Sequence, residues 1–281
     1  MRVRRRKVKG EKLGLVSAGY FDILGFSSLV DLSQDDWFAA IGKIKALDDE
    51  LTKHLADLDL TEHGIVRVFS DNVYFASPFR WNGRVYADNL LVSLRYVSQM
   101  HWFLVNRGIF FRGGLALGSQ YVTSNALFGS ALVKAYSAQV RAKVPRVIVD
   151  ESFDNGLKRV SARMSGNRAE SARLLIRKDE DGLNFVDYLL IWSDAHWTEQ
   201  IREYVFRRHK REIMRQVRAT ADKEILRKYV WLSRYHNLYA SRYGQAIDIR
   251  KQFSDKLPDA DATPMEGDRW RDGRNLFSTE D

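Results

Sequence analysis

The chain has 281 residues, 45% of them hydrophobic and 12% aromatic, a globular balance that excludes disorder as the main state. It has no cysteine, which excludes disulfides, cysteine–zinc sites, iron–sulfur clusters and cysteine nucleophiles. Lys and Arg total 45 against 36 Asp and Glu, a formal charge of +9 that draws polyanions such as nucleotides, nucleic acid or acidic membrane surfaces without choosing among them.

Residues 1–16 read as a basic, solvated arm carrying Arg2, Arg4, Arg5, Arg6 and Lys7. Basic residues followed by the apolar Leu13–Phe21 imitate a signal peptide, but Asp22 interrupts the run and no small-residue cleavage site follows. No apolar run approaches the ~20 residues of a spanning helix. The expected location is cytoplasmic, with no membrane contact.

Ser17–Leu24 reads as a buried strand that ends in the turn Gly25-Phe26-Ser27-Ser28. Trp37, Ile41, Ile44, Leu51, Leu55 and Leu58 recur at helical spacing, so Ser33–Leu58 is expected as an amphipathic helix. Two short apolar runs, Gly64–Phe69 and Asn72–Ser77, are separated only by Ser70-Asp71 and read as a β-hairpin. Leu90, Leu91, Leu94, Val97, His101 and Leu104 predict a second helix ending near Gly108, and Ile109–Gly118 another strand. Ser130–Arg141 reads as a third helix, and Arg146–Val149 and Asn184–Ile191 as later strands.

That order is the split βαβ of the α+β, ferredoxin-like class. The α+β unit is expected over residues 17–193. From Trp197 to about Tyr243 the pattern is helical and charged, and 194–253 reads as a helical extension. Residues 254–281 are polar and aperiodic and read as a disordered tail.

In a split βαβ unit the first and second strands run parallel and the third inserts between them, antiparallel to both. The carboxyl end of the first strand then lies beside the start of the third. Asp22 occupies one of these places and Asp71 the other. Two close carboxylates repel, and a shared proton or a bound cation resolves the repulsion. Asp22 also lies in an otherwise apolar strand, where an unpaired charge is costly. The main-chain N–H groups of Gly25, Phe26 and Ser27 point to the same corner and suit phosphate.

These residues resemble a family. Phe21-Asp22-Ile23-Leu24-Gly25-Phe26-Ser27 is similar to the first metal motif of class III nucleotidyl cyclases, and Ser70-Asp71 to their second. Arg112-Gly113-Gly114-Leu115-Ala116-Leu117-Gly118 resembles a later strand of that family, and Gly129–Gln139 its following helix. The resemblance covers roughly residues 17–150. It departs where the family's transition-state Asn and Arg align with Val133 and Ser137, and where its purine-reading pair aligns with Arg67 and Ala126. This combination resembles the pyrimidine cyclases of bacterial antiphage (Pycsar) defence.

The resemblance implies a homodimer with two Mn²⁺ or Mg²⁺ per active site. It implies conversion of UTP, favoured over CTP, to the 3′,5′-cyclic monophosphate and pyrophosphate, a second messenger for a separate effector. It implies metal ligation by Asp22, Asp71 and the Ile23 carbonyl, with Arg112 and Lys134 as candidate catalytic cations. Phe21, Gly25, Phe26, Ser27 and Arg67 are the candidate substrate-binding residues. Arg67 alternates with Val66 and Val68, so its planar donor fork faces away from them and suits the carbonyl acceptors of a pyrimidine.

Two other readings stand beside this one: a nucleotide-sensing module with the cyclase fold and no turnover, and a basic nucleic-acid-binding protein. The carboxylate pair disfavours nucleic acid as a partner. The aromatic–histidine cluster at Trp231, Tyr235, His236 and Asn237 reads as core packing. Arg207–Arg218, interspersed with Glu212, reads as a charge-laced solvent face.

Overall fold

The structure, a computed structural model, describes residues 12–24, 65–81, 84–122, 126–164, 166–194, 196–260 and 265. Strand β1 (Lys12–Ile23) is its axis. On one side β1 pairs antiparallel with β3 (Asn72–Trp81), which pairs with β2 (Ile65–Phe69). On the other side β1 pairs antiparallel with β5 (Phe111–Val122) over its whole length, from Lys12 opposite Val122 to Ile23 opposite Phe111. The order β2-β3-β1-β5 is the one expected of a split βαβ unit. Two short strands, β4 (Arg84–Val85) and β6 (Leu127–Phe128), pair with β3 and β5. Beyond β5 the sheet continues through β7 (Val147–Val149), parallel to β5, and then β9 (Asn184–Val186) and β8 (Ile176–Lys178).

Directly paired residues share a face of a sheet, and neighbours along a strand alternate. Phe21, Val73, Phe75, Phe111, Leu115 and Leu117 therefore lie together and join one buried core. Helix α1 (Asn89–Val105) supplies Leu90, Leu91, Leu94, Val97 and Met100 to that core. The opposite face carries Ala18, Tyr20, Asp22, Tyr74, Arg112, Gly114 and Gly118, and helix α2 (Ser130–Ala142) lies on it. α2 seats on bare backbone: a Cβ added at Gly114 would meet the Ala135 carbonyl oxygen at 2.1 Å, and one at Gly118 would meet the Ala131 nitrogen at 2.5 Å.

After β7 come α3 (Glu151–Val160) and α4 (Arg168–Leu174), then β8 and β9. The expected strand Asn184–Ile191 is split. It leaves the sheet at Asp187 and continues as α5 (Tyr188–Ser193). A short apolar run suits either state, and the buried Asp187 decides it. Asp187 accepts bonds from the Tyr235 and Tyr239 hydroxyls and from Arg177, which pin the turn.

The expected extension is two long helices, α6 (Glu199–Ala219) and α7 (Lys223–Ala240), followed by α8 (Ile249–Phe253). Thr198, Asp222 and Asp248 cap them through their side chains. These helices share a second core with Phe110, Ala138, Ile148 and Phe185. Two boundaries also differ from expectation. β1 takes in Lys12–Val16 from the basic arm, and Leu257 and Met265 of the expected tail are buried in the second core. The expected helix Ser33–Leu58 lies outside the described residues.

A polar chain threads the C-terminal helices. His236 Nε2 donates to the Gln245 carbonyl at 3.0 Å, so its Nδ1 accepts from His209 Nδ1 at 2.9 Å. His209 Nε2 is then the acceptor for the Tyr188 hydroxyl at 2.7 Å. One neutral tautomer of each histidine satisfies all three bonds.

Candidate active site

The hairpin expected at Ser70-Asp71 forms, with Ser70 at φ 55°, in the left-handed region. It delivers Asp71 to the end of β1, where the Ile23 N–H donates to the Asp71 carbonyl at 2.9 Å. Asn72 lies opposite Asp22, and its amide donates to Asp71 Oδ1 at 2.7 Å. The two carboxylates thus meet at one corner of the sheet, as the strand order predicts.

Arg112 lies opposite Asp22 on the other neighbour, and its Nε donates to Asp22 Oδ2 at 2.7 Å. Gln139 of α2 reaches the same oxygen, with Nε2 at 3.2 Å. Burial pushes the Asp22 carboxyl above the usual range, the Arg112 guanidinium pulls it back, and Asp71 raises it again. The Tyr20 phenol is raised by burial first and then by the Asp22 charge.

The remaining candidates fall in different places. Phe21 is 1% exposed and lies on the opposite face from Asp22, stacked on Phe75 and edge-on to Phe111. Its side chain is core, and only its main chain borders the corner. The Ile23 side chain is also buried in that core. Arg67 shares the Asp22 face and is exposed, with Nη1 donating to the Val66 carbonyl at 3.0 Å. Lys134 donates to the Leu117 carbonyl at 3.4 Å, further along β5 than Arg112. Gly25, Phe26 and Ser27 lie outside the described residues.

Sequence reasoning missed Gln139 and an aromatic group beside the corner. Tyr20 meets Tyr136 of α2 edge-on at 5.4 Å and Phe69 at 6.0 Å. Phe69 and Tyr136 are exposed, and Val133 and Val140 extend the apolar stripe along α2. No sequence pattern pointed to Gln139: it reaches the corner because Gly114 and Gly118 lie against Ala131, Ala135 and Ala138, small residues on both sides that bring α2 down onto β5.

The donor set at the corner suits a hard divalent cation. It offers two carboxylates, both already held by hydrogen bonds, Asp22 by Arg112 and Gln139 and Asp71 by Asn72. Among the described residues no group of three or more His, Asp or Glu could hold a metal. Two carboxylates leave coordination positions for substrate, the arrangement in which Mg²⁺ and Mn²⁺ are shared with phosphates. Among the described residues no helix is long and apolar enough to cross a membrane.

No protein-family model matches the chain, and no curated protein matches it. Solved structures similar to it include the monomeric guanylyl cyclase domain of the RhoGC fusion protein from the aquatic fungus Blastocladiella emersonii, at 13% identity and TM-score 0.42, covering 63% of this chain and 96% of that one. The adenylyl cyclase CyaB from P. aeruginosa is similar at 14% identity and TM-score 0.41, covering 63% and 95%. A class III adenylyl cyclase-like ATP-binding protein from Pseudomonas aeruginosa is similar at 13% and 0.38, covering 58% and 41%.

Proposed function

We propose that the chain is a nucleotidyl cyclase that converts a pyrimidine nucleoside triphosphate, UTP before CTP, to its 3′,5′-cyclic monophosphate and pyrophosphate. The observation that supports this most is the meeting of Asp22 and Asp71 at one sheet corner, with Arg112 donating to Asp22. Asp22 and Asp71, with the Ile23 carbonyl, would hold two Mn²⁺ or Mg²⁺. Such ions acidify the attacking hydroxyl and neutralise phosphate charge when bound. The ribose 3′-oxygen attacks the α-phosphorus, the bond to the β-phosphate oxygen breaks, and the hydroxyl proton passes to solvent.

The chain's own contribution is placement and charge. Arg112 opposes the effect of burial on Asp22 and would face the negative charge that develops. Lys134 is a second candidate cation on α2. Main-chain N–H groups of Gly25, Phe26 and Ser27 would receive phosphate oxygens, and the Phe21 main chain borders the same corner. Arg67 would read the base carbonyls. The exposed stripe of Val133, Tyr136 and Val140 beside the corner supports a homodimer whose sites lie between the subunits. The product would act on a separate effector, in keeping with a role in antiphage defence.

Incubation with each of the four nucleoside triphosphates and Mn²⁺, with products read by mass spectrometry, tests this reading. Cyclic UMP as the main product supports it, and no cyclic nucleotide from any substrate would overturn it. A nucleotide sensor without turnover is the second reading. It is favoured by one feature: Arg67 and Lys134 both bond main-chain carbonyls rather than standing open.

A further inference from the structure

Asp22 is held from two directions. Arg112 comes from the neighbouring strand, and Gln139 comes from the helix above the sheet. Both donate to Oδ2, leaving Oδ1 free of these two donors. An ionised carboxylate only accepts hydrogen bonds, so the NH₂ group of Gln139 must be the side of its amide facing Asp22. Gln139 is 3% exposed. A buried amide left without a partner is destabilising, so this bond is part of what holds the side chain in place.

The reach of Gln139 depends on the glycine seat. The Gln139 nitrogen lies 2.6 Å from where a Cβ of residue 114 would stand. With the helix backbone that close to β5, one glutamine side chain spans from α2 to the end of β1.

We infer that Gln139 is a positioning residue, which holds Asp22 through Oδ2 so that Oδ1 is presented to a divalent cation. The inference rests on the cyclase reading of the corner. Arg112 and Gln139 differ in how they respond to an arriving cation. The guanidinium repels it, and its hold on Asp22 weakens as the carboxylate charge is shared. The amide is neutral, so its bond to Asp22 persists beside a metal. Ligand orientation from such outer partners is worth ~10–100-fold in metal affinity.

The test measures Mn²⁺ binding by electron paramagnetic resonance of the free ion, with inorganic tripolyphosphate supplying phosphate oxygens and no nucleoside present. Gln139→Met keeps length and loses the donor, and it should weaken Mn²⁺ binding about 10–100-fold. Its thermal unfolding should stay near wild type. Binding within about twofold of wild type would overturn the inference. A wild type that binds Mn²⁺ and loses it in Asp22→Ala, with Gln139→Met unchanged, sinks this inference and spares the cyclase reading. A wild type that binds no Mn²⁺ sinks both. A second measurement needs no variant at Gln139. In the wild type its side-chain amide resonances should shift when Mg²⁺ is added, and unmoved resonances would also overturn the inference.

Discussion

Arg112 and Asp22 are direct partners across the β1–β5 ladder, with guanidinium and carboxylate joined at 2.7 Å. The pair couples a chemical property to sheet register. A slip of either strand by one residue would turn its side chain to the other face and separate the pair. Arg112 opposes the effect of burial on Asp22, so Arg112→Gln should move the acid limb of the pH–rate profile to higher pH. Turnover at neutral pH should fall by about a hundredfold, as for loss of one preorganised donor. A pH–rate series on both proteins checks it, and an unshifted limb would count against the coupling.

Asp22→Ala and Asp71→Ala should each reduce cyclisation by on the order of a thousandfold or more. The fold should survive, because removing one of two neighbouring carboxylates relieves repulsion. Circular dichroism with a product assay separates the two effects. Near-wild-type turnover in either variant contradicts a two-carboxylate metal site.

The meeting of Asp22 and Asp71 was legible in the sequence because strand order alone decides it. Hairpin spacing at Ser70-Asp71 and a carboxylate inside an apolar strand sufficed. Gln139 was not legible, because its contact depends on how closely a helix approaches a strand, a property of Gly114 and Gly118 that appears only when the two elements are superposed. The run Asn184–Ile191 was misread because the turn at Asp187 is held by Tyr235, Tyr239 and Arg177, remote residues that no local pattern reveals.

Arg67→Ala should lower UTP turnover and narrow the UTP-to-ATP preference by about tenfold, the range of one hydrogen bond lost between a bound base and an exposed side chain. Mn²⁺ binding should be unchanged. Competition among four nucleoside triphosphates decides the point, and an unaltered ratio would make Arg67 a residue of the hairpin alone.

The exposed stripe of Val133, Tyr136 and Val140 should be covered by a second copy of the chain. Val133→Asp should shift the protein from dimer to monomer in light scattering and reduce turnover in parallel. A wild type that is strictly monomeric at assay concentration yet active refutes the shared site.

Stability should fall on the acid side. Burial holds His236 down to about 4 and His101 down to about 3, and His209 well below its usual range. The unfolded chain takes up these protons near pH 6.5 and the folded chain does not. Protons therefore favour unfolding, and stability present above pH 6.5 is lost as pH drops below it. Protonation of His236 also sets two N–H groups against each other at their 2.9 Å contact, and protonation of His209 removes the acceptor of the Tyr188 hydroxyl. Urea unfolding at pH 7.5 and 5 should show a loss of up to about 2 kcal/mol per histidine between the two, and equal stability at both would contradict the neutral chain.

The glycine seat beneath α2 also sets how this corner of the molecule can move. With the Ala135 oxygen and Ala131 nitrogen where side chains would otherwise stand, the helix has a single address along β5 and no slack for sliding. β5 and α2 meet backbone to backbone at Gly114 and Gly118, with no side-chain layer between them. A ligand or subunit that presses on Val133 or Tyr136 therefore pushes, without play, on the elements that carry Arg112 and Gln139, and the geometry around Asp22 registers the contact on the helix's outer side.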